Sequence, residues 1–81
     1  MVAVKLTDER IYQEIMREAK VLNMQAGAAE IIAKKVTEAI IKWGKNRAAV
    51  TEVDLNQRLA KETKKFNADL AYLFESKNKI I

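Results

Sequence analysis

Cysteine, histidine and proline are all missing from this 81-residue chain, and it has only two glycines and one serine. Each gap closes off some chemistry or structure. Without cysteine there is neither a disulfide nor a thiolate metal site. Without histidine the commonest general base and metal ligand is gone. Ser76 is the single serine, with no base to activate it, so nucleophilic triads and zinc sites are excluded. The expectation is a protein that is not an enzyme and carries no cofactor. A chain without proline and with little glycine favours long, uninterrupted helices. No apolar run approaches the ~20 residues needed to cross a bilayer. The opening "MVAVKLTDER" lacks the pattern of a signal peptide. A cytoplasmic protein with no membrane partner is therefore expected.

What is present suits one compact helical domain over residues 1–81. Hydrophobic residues make up 49% of the chain and charged ones 32%, a balance that buries a core and does not leave the chain disordered. The chain is near the size at which a single core is marginally sufficient.

Helix starts share one local grammar. In "LTDERI", Thr7 is placed as an N-cap with Asp8 and Glu9 in the first turn, and Leu6 is spaced to staple onto Ile11. In "VTEVDL", Thr51 caps, Asp54 is the third helical residue, and Val50 is spaced to reach Leu55. In "FNADLA", Asn67 caps and Asp69 follows. The 3.6-residue spacing of apolar positions then predicts an all-α bundle of four helices, over about 8–21, 27–43, 52–65 and 68–78. The first turns Ile11, Ile15, Ala19 and Leu22 inward, flanked by Tyr12 and Met16. The second turns in Ala29, Ile32, Val36, Ala39, Ile40 and Trp43. The third carries Leu55, Leu59 and Phe66, and the fourth Leu70, Leu73 and Phe74. Residues 2–6, "VAVKL", are expected to form a short strand or an extended arm.

The second helix is apolar over a wide arc, because Ile31, Ala33 and Ile41 flank its main stripe. Such a helix is either central or offers a second face to a partner. Gly44, directly after it, reads as a C′ cap. One glycine does not make a phosphate cradle. Trp43 is expected at the rim of the core with its N–H near solvent.

The net charge of +4 is uneven: residues 1–41 carry six bases and six acids, and residues 42–81 carry nine bases and five acids. Much of this follows from helix stability alone. Glu30, Lys34, Glu38 and Lys42 alternate in sign at i, i+4, and Asp54, Arg58 and Glu62 repeat the device. Lys20, Lys42, Lys61, Lys64, Lys65 and Lys77 fall near helix ends, where cations complement the dipole. Five side chains keep another interest: Lys45 and Arg47 in a connection, and Lys61, Lys64 and Lys65 on one helix face beside Gln57. Should the two groups meet in space, they form a patch suited to phosphate or an acidic protein. The segment "IIKWGKNRAAVTEVDLNQRLAKE" fits a helix-turn-helix poorly, since its connection is long and its second helix opens on Glu52 and Asp54.

Taken together, "LTDERIYQEIMREA", "AAEIIAKKVTEAII", "TEVDLNQRLAKE" and "FNADLAYLF" resemble the helical part of the ATP-cone family, a regulatory nucleotide-binding domain of ribonucleotide reductases and of a related transcriptional repressor. The resemblance runs over roughly residues 5–75. It is carried by Asp8, Arg10 and Ile11, by Thr51, Asp54 and Leu55, and by Asn67, Ala71 and Tyr72. Residues 1–6 do not spell the basic, glycine-containing hairpin through which that family holds nucleotide. The resemblance implies a shared helical architecture and a degenerate nucleotide-sensing domain, with Arg10 as the basic residue carried over near a phosphate.

Three functional expectations follow. The first is a binding or regulatory module that meets another protein or a second copy of itself, through the second helix and the exposed end of the fourth. The tail "SKNKII" belongs to that reading, because its two terminal isoleucines need cover. The second is nucleic-acid binding through Lys45, Arg47, Lys61, Lys64 and Lys65. The third is the nucleotide-sensing domain that the resemblance implies.

Overall fold

Three helices begin where a short side-chain oxygen stands over the free amides of a first turn. Thr7 Oγ1 accepts from the Arg10 amide at 3.2 Å, Thr51 Oγ1 from the Asp54 amide at 3.1 Å, and Asn67 Oδ1 from the Leu70 amide at 3.0 Å. Asp54 returns the bond, its Oδ2 accepting from the Thr51 amide at 3.4 Å, which completes a capping box. The resulting helices are α1 (Asp8–Val21), α2 (Ala26–Gly44), α3 (Glu52–Thr63) and α4 (Ala68–Ser76). They come from a computed structural model that describes residues 3–78. The described residues form an all-α four-helix bundle with no strand. Val2 of the arm and the tail residues Lys79, Ile80 and Ile81 lie outside them.

α3 and α4 each stop two residues earlier than the spacing suggests. Thr63 is fully buried and its hydroxyl donates back to the Leu59 carbonyl at 2.7 Å. Its own carbonyl accepts from the amides of both Phe66 and Asn67 at 2.9 Å, which turns the chain out of the helix. At the end of α4, Asn78 reaches across to α3. Its side chain donates to the Val53 carbonyl at 3.0 Å and accepts from Asn56 at 3.3 Å.

The left-handed C′ position is Asn23, with φ 57°, and not Gly44. The Asn23 amide donates to the Lys20 carbonyl at 3.0 Å and the Met24 amide to the Ala19 carbonyl at 3.1 Å. That pair of bonds is a Schellman motif. Gly44 has no positive φ; it is the last residue of α2, and Lys45 continues in the right-handed region. What glycine gives there is room: a Cβ would overlap Leu6 Cδ1, and Leu6 would have to turn aside. Leu6, Val4 and the buried Val50 belong to the same apolar cluster. The Val4 amide donates to the Val50 carbonyl at 2.7 Å. Residues 3–6 are thus an extended arm held against the bundle by one backbone bond and two side chains.

The core joins Ile11 and Ile15 of α1, Ile32, Ala33, Val36 and Ile40 of α2, Leu55, Leu59 and Ala60 of α3, and Leu70 and Phe74 of α4. Fully burying one such aliphatic or aromatic side chain contributes about 1.5–3 kcal/mol. α1 packs along α2, α4 along α3, and α2 meets α3 to join the two hairpins; α4 touches α1 at one end, where Lys77 and Glu18 stand 3.6 Å apart. Central placement accounts for most of the wide apolar arc of α2. Ala33 is buried and Ile41 half-buried, while Ile31 stays 60% exposed. Ala39 is half-buried. Phe66 is not a core residue of α3. It lies beyond the helix end, 45% exposed, with the Lys35 ammonium 5.9 Å from its ring centre.

The expected charge ladders resolve unequally. Arg58 and Glu62 pair at 2.8 Å, but Asp54 serves as cap partner to Thr51. Glu30, Lys34, Glu38 and Lys42 all face solvent, and at such exposure i, i+4 pairs are worth only a few tenths of a kcal/mol.

Candidate nucleic-acid interface

Arg47 reaches its place through the local path of the chain. Its amide donates to the Gly44 carbonyl at 3.1 Å, folding the connection back over the last turn of α2. The guanidinium then lies over Trp43, with Cζ 4.7 Å from the ring centre. A second guanidinium approaches the same indole from α3, Arg58 Cζ standing 5.8 Å away. Gln57 and Lys61 are one helical turn apart and flank Arg58 on the same side of α3. Together Trp43, Arg47, Asp54, Gln57, Arg58 and Lys61 line a shallow hollow of about 190 Å³. A neighbouring hollow of about 290 Å³ shares Gln57 and Lys61 with it and adds Ala60, Lys64 and Glu75.

The five side chains singled out in the sequence are therefore distributed unevenly. Arg47 and Lys61 meet at one hollow, and Lys64 extends the surface along α3. Lys65 turns to Glu62, its ammonium 3.0 Å from Oε1. Lys45 is exposed and lines neither hollow. Glu62 itself is buried, 5% exposed, and holds Arg58 with one oxygen and Lys65 with the other. Among the described residues, Lys45, Arg47, Lys61 and Lys64 have no carboxylate partner. Asp54 lines the first hollow, but its Oδ2 is engaged at the Thr51 cap.

Trp43 is half-buried and packs against the core, in keeping with a place at its rim. The guanidiniums above it were not foreseen, and Arg58 is the side chain that sequence reasoning missed. Its i, i+4 relation to Glu62 accounts for it completely in one dimension; only the approach of α2 to α3 brings it to the indole. A cation over an indole contributes about 0.5–1 kcal/mol when exposed.

A hollow of about 420 Å³ lined by Thr7, Glu9, Arg10, Gln13, Glu14 and Arg17 is also polar, but Arg10 there is paired with Glu14 and Glu52. Met16, Ala19, Met24 and Ala29 form the apolar floor of a hollow of about 550 Å³ between α1 and α2, with Gln13, Arg17 and Lys20 at its edge. Arg10, the basic residue that the family resemblance carries over, donates to Glu52 Oε1 at 2.6 Å and lies 3.8 Å from Glu14. It ties the start of α1 to the start of α3. Among the described residues, no helix is long and apolar enough to cross a membrane. No protein-family model, curated protein or solved structure matches this chain.

Proposed function

We propose that this chain is a small nucleic-acid-binding module acting through the surface around Trp43. One observation carries the reading: Arg47 and Lys61, from two different segments, line a single hollow with no carboxylate bound to either. Lys64 continues the same surface along α3. Three such cations outnumber the two carboxylates, Asp54 and Glu75, that line the same hollows, and the surplus positive charge is what phosphates displace counterions to reach. Binding of a labelled duplex of about 20 base pairs, followed by fluorescence anisotropy, is expected at low salt. It should weaken about 40-fold between ~50 and ~200 mM monovalent salt, the dependence for three phosphate contacts. Reversing both charges, as Arg47→Glu with Lys61→Glu, should abolish it. A wild-type chain that leaves the duplex unbound at the lowest salt ends this reading.

Self-association is the second reading, favoured by Ile31 on α2 and Phe66 beside Lys35 of the same helix, which stand 60% and 45% exposed. Sedimentation over a wide concentration range should then show a dimer that Ile31→Glu disperses. A strictly monomeric wild type at the highest concentration removes this alternative.

A further inference from the structure

Resting on the nucleic-acid reading, the geometry points to a ligand class and a division of labour: we infer that the site grips sugar–phosphate backbone without stacking on bases, and that Trp43 is the platform that orients Arg47. Non-specific single-strand binders combine a basic groove with aromatic faces on which bases stack. Here the two adjoining hollows contain one aromatic ring between them, Trp43. That ring is half-buried in the core and carries Arg47 at 4.7 Å and Arg58 at 5.8 Å. A base could stack on this half-buried indole only by displacing a guanidinium that already stands against it.

The cations divide by their partners. Arg58 and Lys65 are neutralised by the one buried carboxylate of Glu62. Arg47, Lys61 and Lys64 pair with no carboxylate, although Asp54 and Glu75 line the same hollows, and they are the charges left for a phosphate chain to meet. Arg47, placed over the indole, carries the planar fork suited to a two-pronged contact with one phosphate. Lys61, in the last turn of α3, and Lys64, the C-cap residue three positions on, act as point charges for the phosphates beside it. Binding should therefore ignore base identity and tolerate either strandedness.

The test is a salt titration of the full chain with duplex, single-stranded and abasic single-stranded DNA, with inorganic polyphosphate as competitor. The expected slope of log K against log salt is about −2.7 for duplex and about −2.1 for single strands. The abasic strand should bind like the ordinary one, and polyphosphate should displace both. Arg47→Ala, Lys61→Ala and Lys64→Ala should each reduce the duplex slope by about 0.9, while Lys65→Ala leaves it unchanged. Arg47→Lys keeps the charge but loses the stack; affinity should drop about two- to five-fold at an unchanged slope, with the melting temperature held. Trp43→Phe, which retains a ring under Arg47, should bind more tightly than Trp43→Leu. Binding that the abasic strand and polyphosphate cannot reproduce overturns the inference and leaves the nucleic-acid reading standing. A slope that Lys65→Ala lowers as much as Lys61→Ala does also overturns it. Failure of every nucleic acid to bind defeats both.

Discussion

Replacing Phe74 by alanine is expected to cost about 3–5 kcal/mol and to lower the melting temperature by about 15–30 °C. Phe74 is fully buried and among the largest buried side chains of the molecule. It sits on α4, nine residues long, a length at which a helix has no stability of its own in water. The attachment of α4 therefore rests on its buried face, Leu70, Ala71 and Phe74. Truncating the ring removes its transfer free energy and leaves a cavity that the surrounding core can fill only in part. A domain of this size has roughly 4–12 kcal/mol in total, so the variant should be close to unfolding at 37 °C. Phe74→Leu, which refills most of the volume, should lose less than half as much. Thermal melts by circular dichroism decide the matter. An alanine variant melting within a few degrees of wild type would show that α4 does not depend on this ring.

Glu62→Ala should cost about 2–3 kcal/mol, and it should strengthen binding to DNA. The carboxylate is 7% exposed at its side chain and faces Arg58 and Lys65. Removing one partner of a buried ion pair leaves the other charge uncompensated, at about 3–5 kcal/mol when both are fully buried. Arg58 keeps 30% of its side-chain surface in water and Lys65 63%, so solvent recovers part of that loss. The Arg58 Nε, already buried without a hydrogen-bond partner, makes the remainder harder to recover. The two released cations then add to Arg47, Lys61 and Lys64. The salt slope for duplex binding should steepen by between about 0.9 and about 1.8. Opposite signs for stability and affinity are the diagnostic. Loss of both together would place Glu62 in the fold alone.

How far the sequence could be read depended on how local each signal was. Thr7, Thr51 with Asp54, and Asn67 are legible because a cap is decided within four residues, and each places its helix start correctly. The end of α1 is not, because asparagine does many things, and only the observed φ of Asn23 marks it as the C′ residue. Gly44 is the converse: its position after an apolar run imitates a cap, while its true constraint is Leu6, far away in the chain. Phe66 continued the spacing of α3 on paper, but Thr63 had already ended the helix. At the candidate site, the cations were visible as composition. Their sorting was not, because it depends on Glu62 being buried and on α3 folding back beside Trp43. Periodicity places charged side chains on faces; it does not say which carboxylate is inside.

The short N-terminal arm has a consequence for the loop that carries Arg47. Residues 45–51 are held at one end by Leu6 against Gly44 and at the other by the Val4–Val50 bond. A free loop of that length would forfeit conformational entropy when it met a ligand. In this chain two contacts of the arm bracket the connection, so on the proposed reading less of that entropy is left to lose on binding. Residues 3–6 line neither hollow, yet on the proposed reading deleting them should weaken binding by freeing the segment that carries Arg47.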